Sequence, residues 1–508
     1  MRHHRSRAIT GVAQLAVLLL VHSFVRAEPA ALPAWTPWDV KTFQQVPQFE
    51  VIGEGKEGIR EILFRGPAFK NEAGYTKVFA YHGIAKGPDG KPMTSGKGPG
   101  LVLIHGWAGQ AMRGWVAHAN KMGYHAIALS TNGLLGEGGG AAVDAAFRGP
   151  GDGYSGKGDA KGPSPFAEFA DGDAATEPNH HRWMYHATAN VMLAHSLLRS
   201  FPEVDAQKTG VWGISWGGYH TSIVAGVDDR FKIAVPQYGC GFLHENGAWA
   251  EGFKKMKQPA RDHWIRTWDP SMYVGSTRAT MLFFTGARDG YYPLDSLMKT
   301  SALVRSPKYF AVGHEFGHGH FWDQRAKSVW RFLDATLKGQ GELPAVSSPV
   351  IADGKVTATV QNAGALNHAV LYFTTGPAKE NSKRKWTAMP MTIESNGQAK
   401  KLTAQAVPAE TTAYYVGLSD TPQTNTYHHL FTSEVVIVPE KKPYLLTIVG
   451  GEGGGSFEAG ELVTIKASAI EGRRFARWAG DPTIAPLQTT ATFTMPARHV
   501  TLVVETKP

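Results

Sequence analysis

From Gly98 to about Leu343 the apolar positions come in short, nearly unbroken runs, separated by glycine-rich turns and by longer stretches of helical period. LVLIHG (101–106) reads as a buried strand, AMRGWVAHANKMG (111–123) as a helix and YHAIALS (124–130) as the next strand. In HRWMYHATANVMLAHSLLRSF (181–201), Met184, Val191, Met192, Leu193 and Leu197 fall near one stripe, which predicts a helix. TGVWGIS (209–215) is a further strand that runs directly into the helix YHTSIVAGV (219–227). ATMLFFTGA (279–287) and KYFAVG (308–313) are two more strands, and SVWRFLDATL (328–337) closes with a helix. Strands alternating with helices predict an α/β domain over 98–343, with a mostly parallel sheet covered on both faces. Ahead of it, EGIREILFRGPAF (57–69) and TKVFAYHGIA (76–85) alternate like antiparallel strands, so 28–97 reads as an extension carrying edge strands.

The pattern changes again near Pro344. Short alternating strands such as KVTATVQNA (355–363), HAVLYFTT (368–375) and TTAYYVGLS (411–419) predict a β-sandwich-like domain over 344–440. After Glu440-Lys441-Lys442-Pro443 a last all-β module fills 441–508. Neither supplies an acid, base or nucleophile that the site requires, so both are expected to be dispensable for chemistry. The competing expectation is that 346–439 packs across the cleft and forms a wall of it. The tract from Gly136 to Asp173 is a long irregular insertion, a length uncommon unless functional or disordered, and it falls where an active-site rim belongs.

Residues 1–27 have a targeting pattern. Arg2, His3, His4, Arg5 and Arg7 precede an apolar run from Ala8 to Val21, and Phe24-Val25-Arg26-Ala27 sets small residues at −3 and −1 before Glu28. That is a secretory signal peptide, which predicts a secreted protein, periplasmic or extracellular. An uncleaved anchor is the alternative, but a spanning helix needs about 20 apolar residues and this run is shorter, with Gln14 inside it. No later stretch is long enough for a transmembrane span.

Length and composition narrow the classes. A chain of 508 residues predicts about three domains. With 43% hydrophobic residues, 14 Trp, 24 Phe and 16 Tyr to bury, disorder over most of the length is excluded. One cysteine, Cys240, excludes an intrachain disulfide and any cysteine-built metal site. Removing Arg2, Arg5, Arg7 and Arg26 from the formal charge of +9 leaves +5, too mild and scattered to argue for nucleic acid.

The chemistry centres on Gly213-Ile214-Ser215-Trp216-Gly217, a G-x-S-x-G that joins a predicted strand to a predicted helix. A sharp turn there lifts the Ser215 hydroxyl above the sheet, and glycines on either side remove side chains that would collide with it. The Trp216 N–H then points at a developing oxyanion. A serine nucleophile needs a base, and the base a carboxylate, in the order Ser, acid, His along the chain. Asp289 stands at a strand's carboxyl end; its competitor Asp295 lies in the next helix. His314, His318 and His320 follow the next strand, and His318 is preferred as the base. The second oxyanion donor is expected from His105-Gly106-Trp107-Ala108-Gly109, at the Trp107 N–H. Trp183, His186, Tyr238 and Trp249 are candidate substrate-binding residues. His314 to His318 also spells H-E-x-x-H, but zinc would need a helix there, and Gly313, Gly317 and Gly319 each weaken one by about 1 kcal/mol. No metal and no cofactor are expected.

These residues reach a resemblance. The phrases GPGLVLIHGWAG, WMYHATANVMLAHSLLRSFPEVD, GISWGGYHTSIVAGVDDRFKIAVPQYGCGF, GARDGYYPLDS and GHGHFW make the run from Gly58 to Leu337 resemble secreted α/β-hydrolases of the acetyl xylan esterase and dienelactone-hydrolase-like group. The resemblance implies a serine esterase with Ser215, Asp289 and His318 as its triad, acting on an acetylated plant polysaccharide such as xylan or on a small ester. Trp107-Ala108 departs from the run of glycines common in that group. The module LLTIVGGEGGGSFEAGELVTIKASAIEGRRFARWAGD resembles divergent β-repeats of bacterial surface proteins, which implies a contact to cell surface or polymer, with Phe475 and Trp478 as core aromatics. The rival readings are a prolyl-oligopeptidase-like serine peptidase and an adhesion protein with a decayed hydrolase domain. Against the first, no blade repeat precedes Leu101.

Overall fold

The computed structural model describes residues 28–508 apart from 70–74, 94, 108, 133–177, 365, 377, 397–398, 421–430, 439–442 and 485. The expected leader 1–27, the Gly136–Asp173 insertion and residues 440–442 of the linker therefore lie outside the described residues.

Nine strands among the described residues build the first part: β1 (Phe49–Glu54), β2 (Arg60–Arg65), β3 (Lys77–Gly83), β4 (Gly98–Ile104), β5 (His125–Leu129), β6 (Val204–Ile214), β7 (Ile233–Gln237), β8 (Thr280–Gly286) and β9 (Lys308–Gly313). Their order in the sheet is β1-β2-β3-β5-β4-β6-β7-β8-β9. The first four of that order pair antiparallel. From β5 to β9 all pairs are parallel. Leu101 to Ile104 and Val211, Trp212 and Ile214 are almost fully buried, which is why these strands read as continuous apolar runs. Helices Arg113–Lys121 and Lys327–Leu333 meet through His118 and Trp330, and set Trp115 and Trp330 on the Trp212 ring. Helices Trp183–Ser200 and Trp216–Val227 pack on each other and on the central strands as a second layer.

The sheet does not stop at β9. Thr432 pairs antiparallel with Phe310 of β9, and through Phe431–Thr432 the sheet continues into Ala413–Ser419, His368–Thr374 and Thr387–Pro390. The result is one fourteen-stranded sheet shared by the two parts. A second sheet of the β part, around Lys355–Gln361 and Ala399–Gln405, closes a core whose Val356, Val360, Leu371, Leu402 and Val416 belong to the same apolar cluster as the first part.

The terminal module has a core of its own, built on Leu446, Ile465, Trp478 and Leu502, with Phe475 partly buried beside it. It is also docked. Lys299 holds both oxygens of Glu245 at 2.7 and 2.6 Å and donates to the His499 carbonyl of the module at 3.0 Å. Thr501 donates to Glu245, and His244 Nε2 lies 3.0 Å from Thr501 Oγ1. Val449 and Val503 of the module pack into the main core. No described helix is long and apolar enough to cross a membrane.

Candidate active site

Strand β6 ends at Ile214 and a helix begins at Trp216, leaving Ser215 between them at φ 59°, ψ −119°. The turn is tight because backbone crowds it. A Cβ on Gly213 would sit 2.0 Å from the Gly217 oxygen, and one on Gly217 would sit 2.1 Å from the Ile104 oxygen. Only glycine fits at both places. The Ser215 N–H is tied to the Gln237 carbonyl at the end of β7, at 2.9 Å, so the serine is fixed from a neighbouring strand.

His318 Nε2 stands 2.8 Å from Ser215 Oγ, and His318 Nδ1 stands 2.8 Å from Asp289 Oδ2. Asp289 Oδ1 accepts the N–H groups of Tyr291 and Tyr292 at 2.7 and 3.0 Å. With the carboxylate accepting from Nδ1–H, Nε2 is left to accept the serine proton. The two loops that carry acid and base are joined: Ala287 N–H donates to the Gly313 carbonyl at 2.7 Å and Arg288 N–H to Phe316 at 3.1 Å. Three rings frame the imidazole. Tyr238, Tyr291 and Tyr292 have centroids 4.6, 4.9 and 5.8 Å from that of His318. Burial drives the Tyr292 hydroxyl far above the ordinary phenol range, so it stays a neutral group.

The other candidates separate. His314 stacks on Tyr372 at 4.4 Å, and His320 lies 6.2 Å from His318. Residues 314–320 run in irregular backbone, so His314 and His318 do not share a helix face. Asp295 sits in the helix Leu294–Leu303, accepting from Asn246 at 2.7 Å. Trp183 is buried, its indole donating to the Thr131 carbonyl at 2.8 Å. Tyr238, itself at φ 72°, accepts the Gly319 N–H at 3.1 Å. His186 is engaged with the His180 carbonyl at 2.8 Å, and its ring neighbours are Phe69 and Tyr185 rather than the Ser215 cluster.

The Gly106–Trp107 turn faces the serine: a Cβ on Gly106 would lie 3.2 Å from Ser215 Cβ. His105 pins that turn. Its Nε2 accepts the Thr131 N–H at 2.9 Å, so Nδ1 carries the proton and donates to the Gly106 carbonyl at 2.6 Å. Burial takes its pKa down to about 4, which keeps the ring neutral. Asn132 completes the clamp, donating to the Trp107 and Gly109 carbonyls at 2.6 and 2.9 Å. Nothing in the local sequence marks Asn132 for that role. Trp107, Trp183, Trp216 and Trp249 gather beside the nucleophile with centroids 5.0 to 5.9 Å apart. A cleft of about 600 Å³ opens from His318 past Tyr291, Arg288, Glu315, Ala248 and Ser382.

Residues 173–340 match the prolyl oligopeptidase family, and the sheet order carries the serine at a strand-to-helix elbow. This is an α/β-hydrolase fold. The hydrolase fold is followed by a module, 444–505, that matches the divergent InlB B-repeat domain. No curated protein matches the chain. Among solved structures, the hydrolase is similar to an acetyl xylan esterase from Paenibacillus sp. R4, with 19% identity and TM-score 0.45 over 59% of this chain and 92% of that one. Acetyl xylan esterase 1 from Thermoanaerobacterium sp. JW/SL YS485 aligns with 18% identity and TM-score 0.42, over 61% of this chain and 96% of that one. An acylaminoacyl peptidase from Pyrococcus horikoshii gives 18% identity and TM-score 0.40, over 56% and 43%.

Proposed function

We propose that this chain is an exported serine esterase that cleaves carboxylic esters through an acyl-enzyme. The observation that carries the reading is the unbroken relay from Ser215 Oγ to His318 Nε2 and from His318 Nδ1 to Asp289, with both steps at 2.8 Å. Ser215 Oγ attacks the ester carbonyl carbon as its proton passes to His318 Nε2, and the carbonyl oxygen takes the negative charge. The Trp216 and Trp107 N–H groups are the donors assigned to that oxygen, the first at the start of the nucleophile helix and the second on the turn held by His105. The bond to the alcohol then breaks, and the His318 proton goes to the departing oxygen. Water repeats the sequence on the acyl-enzyme, with His318 as base, and releases the acid. Asp289 keeps the imidazole in one tautomer and balances its charge.

The acyl group assigned to the site is short. The indole of Trp216, which follows Ser215 directly, packs with those of Trp107, Trp183 and Trp249, and this rigid cluster is assigned as the wall that favours acetyl over long chains. The leader pattern and the resemblance of the catalytic phrases favour acetyl esters of a plant polysaccharide such as xylan, met outside the cytoplasm. A peptidase reading is supported by the match of 173–340 to the prolyl oligopeptidase family. Acetylated xylan, longer acyl esters and proline peptides assayed side by side separate the two. Acetate release from the glycan is expected; peptide cleavage without acetate release overturns the esterase assignment. Ser215→Ala is expected to lower kcat by about four orders of magnitude, measured on a short acyl ester, and wild-type turnover would reject the nucleophile.

A further inference from the structure

The turn that carries Asp289 is held from two sides. Its N–H groups at Ala287 and Arg288 go to the histidine loop, as described above. Its carbonyls go to the all-β part. Trp386 Nε1 donates to the Ala287 carbonyl at 3.3 Å, and Asn381 Nδ2 donates to the carbonyl of Asp289 itself at 2.7 Å. Arg288 returns the contact, its Nε donating to the Ser382 carbonyl at 3.3 Å. Asn381 is 4% exposed and is itself oriented: Arg384, also buried, donates from Nη1 to Asn381 Oδ1 at 3.1 Å. An apolar contact underlies these bonds, with Ala287, Leu294 and Val312 in one cluster with Tyr372, Ala413, Tyr415 and Val435. Ser382 goes further and lines the cleft beside Tyr291 and His318.

We propose that Asn381 is a positioning residue for the Asp289–His318 pair, and that the β part, through Asn381 and Ser382, completes the catalytic site. This rests on the esterase reading above. The Asp289 turn is fixed by its own N–H, which donates to the Gly286 carbonyl at 3.1 Å, by the Asn381 bond to its carbonyl, and by the Tyr291 and Tyr292 N–H groups on its carboxylate. Removing the carbonyl bond frees the turn to shift, and a displacement of about 1 Å in a catalytic group costs on the order of a hundredfold in rate. The residue touches neither nucleophile nor base, so its effect falls on the chemical step and not on ground-state binding.

The test uses the full-length chain and its Asn381→Ala and Asn381→Asp variants. Asn381→Asp keeps the volume and the Arg384 contact but sets an oxygen against the Asp289 carbonyl, so it decides the matter should the alanine variant not fold. For variants with a native circular dichroism spectrum, kcat on p-nitrophenyl acetate is expected to fall about 10- to 100-fold with KM within about threefold. The rate of fluorophosphonate labelling at Ser215 is expected to fall in proportion. A purely structural asparagine would lower the melting temperature and leave both rates unchanged, which overturns the proposal while the esterase reading stands. A wild-type chain that does not label at Ser215 overturns the esterase reading, and the proposal with it.

Discussion

Ser215 occupies a backbone region that a non-glycine residue enters at a cost of about 1–3 kcal/mol. The surroundings enforce it: the Gln237 carbonyl takes its N–H, the Tyr219 N–H takes its carbonyl at 2.9 Å, and Gly213 and Gly217 leave no room to relax. Beside it, Trp249 is the indole of the four that reaches out to Tyr291 on the cleft wall, with centroids 6.0 Å apart. Trp249→Ala is therefore expected to raise the ratio of butyrate to acetate ester hydrolysis about tenfold, since a methylene or two in such a pocket is worth that much. An unchanged ratio would place the acyl group elsewhere. The grouping of Ser215, Asp289 and a histidine is legible in the sequence because each follows the carboxyl end of a buried strand, but chain order does not choose among His314, His318 and His320. Asn381 was not legible. It lies 92 residues from its partner in a segment with no motif, and only the folded sheet brings the two together.

Strands β4, β5, β8 and β9 and the second half of β6 announce themselves because burial on both faces makes each a mostly apolar run. Strand β7, Ile233–Gln237, is five residues with Pro236 inside it, and such a run does not stand out from a loop. The helices Ala250–Lys255 and Gln258–Trp268 do not stand out in the sequence: the first is six residues with two buried, and in the second the buried Ala260, Trp264, Ile265, Thr267 and Trp268 are interrupted by Arg261, Asp262, His263 and Arg266. The loop before them, Phe242 to Trp249, is where the module docks. Glu245 there is 3% exposed at its side chain and Lys299 14%. Taking away one member of a pair so buried leaves the other charge uncompensated, at a cost of about 3–5 kcal/mol. Glu245→Ala should accordingly lower the urea midpoint by a margin that corresponds to that figure, and a shift below about 1 kcal/mol would show the pair to be well hydrated.

The molecule as a whole stores acid sensitivity in its interior. Burial takes His105, His186, His195 and His244 down to about 4 and His220 to about 3. An unfolded imidazole titrates near 6.5, so between about pH 6.5 and 4 the unfolded chain binds protons that the fold excludes. Stability is therefore fully present above about pH 6.5 and declines as the pH falls toward 4. Two carboxylates add to the decline. Burial raises Asp228, but His195 and Arg230 outweigh it and hold the group below its ordinary range. Lys299 and His244 likewise outweigh burial at Glu245, and both acids lose stabilisation as the pH falls through their folded values. Asp269, raised by burial to about 6, works in the opposite sense between about pH 6 and 4. The two acids act only below about pH 4.5, so between pH 7.5 and 5 five histidines stand against one carboxyl and give a net loss. The melting temperature is expected to be clearly lower at pH 5 than at pH 7.5, and equal values would show that these histidines take up protons without unfolding. The fusion of two sheets was beyond the sequence for a plain reason: among the described residues it turns on the pair Thr432 and Phe310, which no periodicity encodes.

The position of one strand has a consequence for how the terminal module comes apart. Val500–Lys507 lies between Tyr444–Val449, its parallel neighbour, and Arg474–Gly480, its antiparallel one. It is the middle of its sheet, not the edge. A proline at Leu502 would act as a wedge: with the ladder broken there, the flanking strands lose the neighbour they share. Thr501 sits on that strand and touches Glu245, on the loop that leads to Trp249. Damage to that one strand would therefore be felt at Ala248, which follows Glu245 by three residues and lines the cleft.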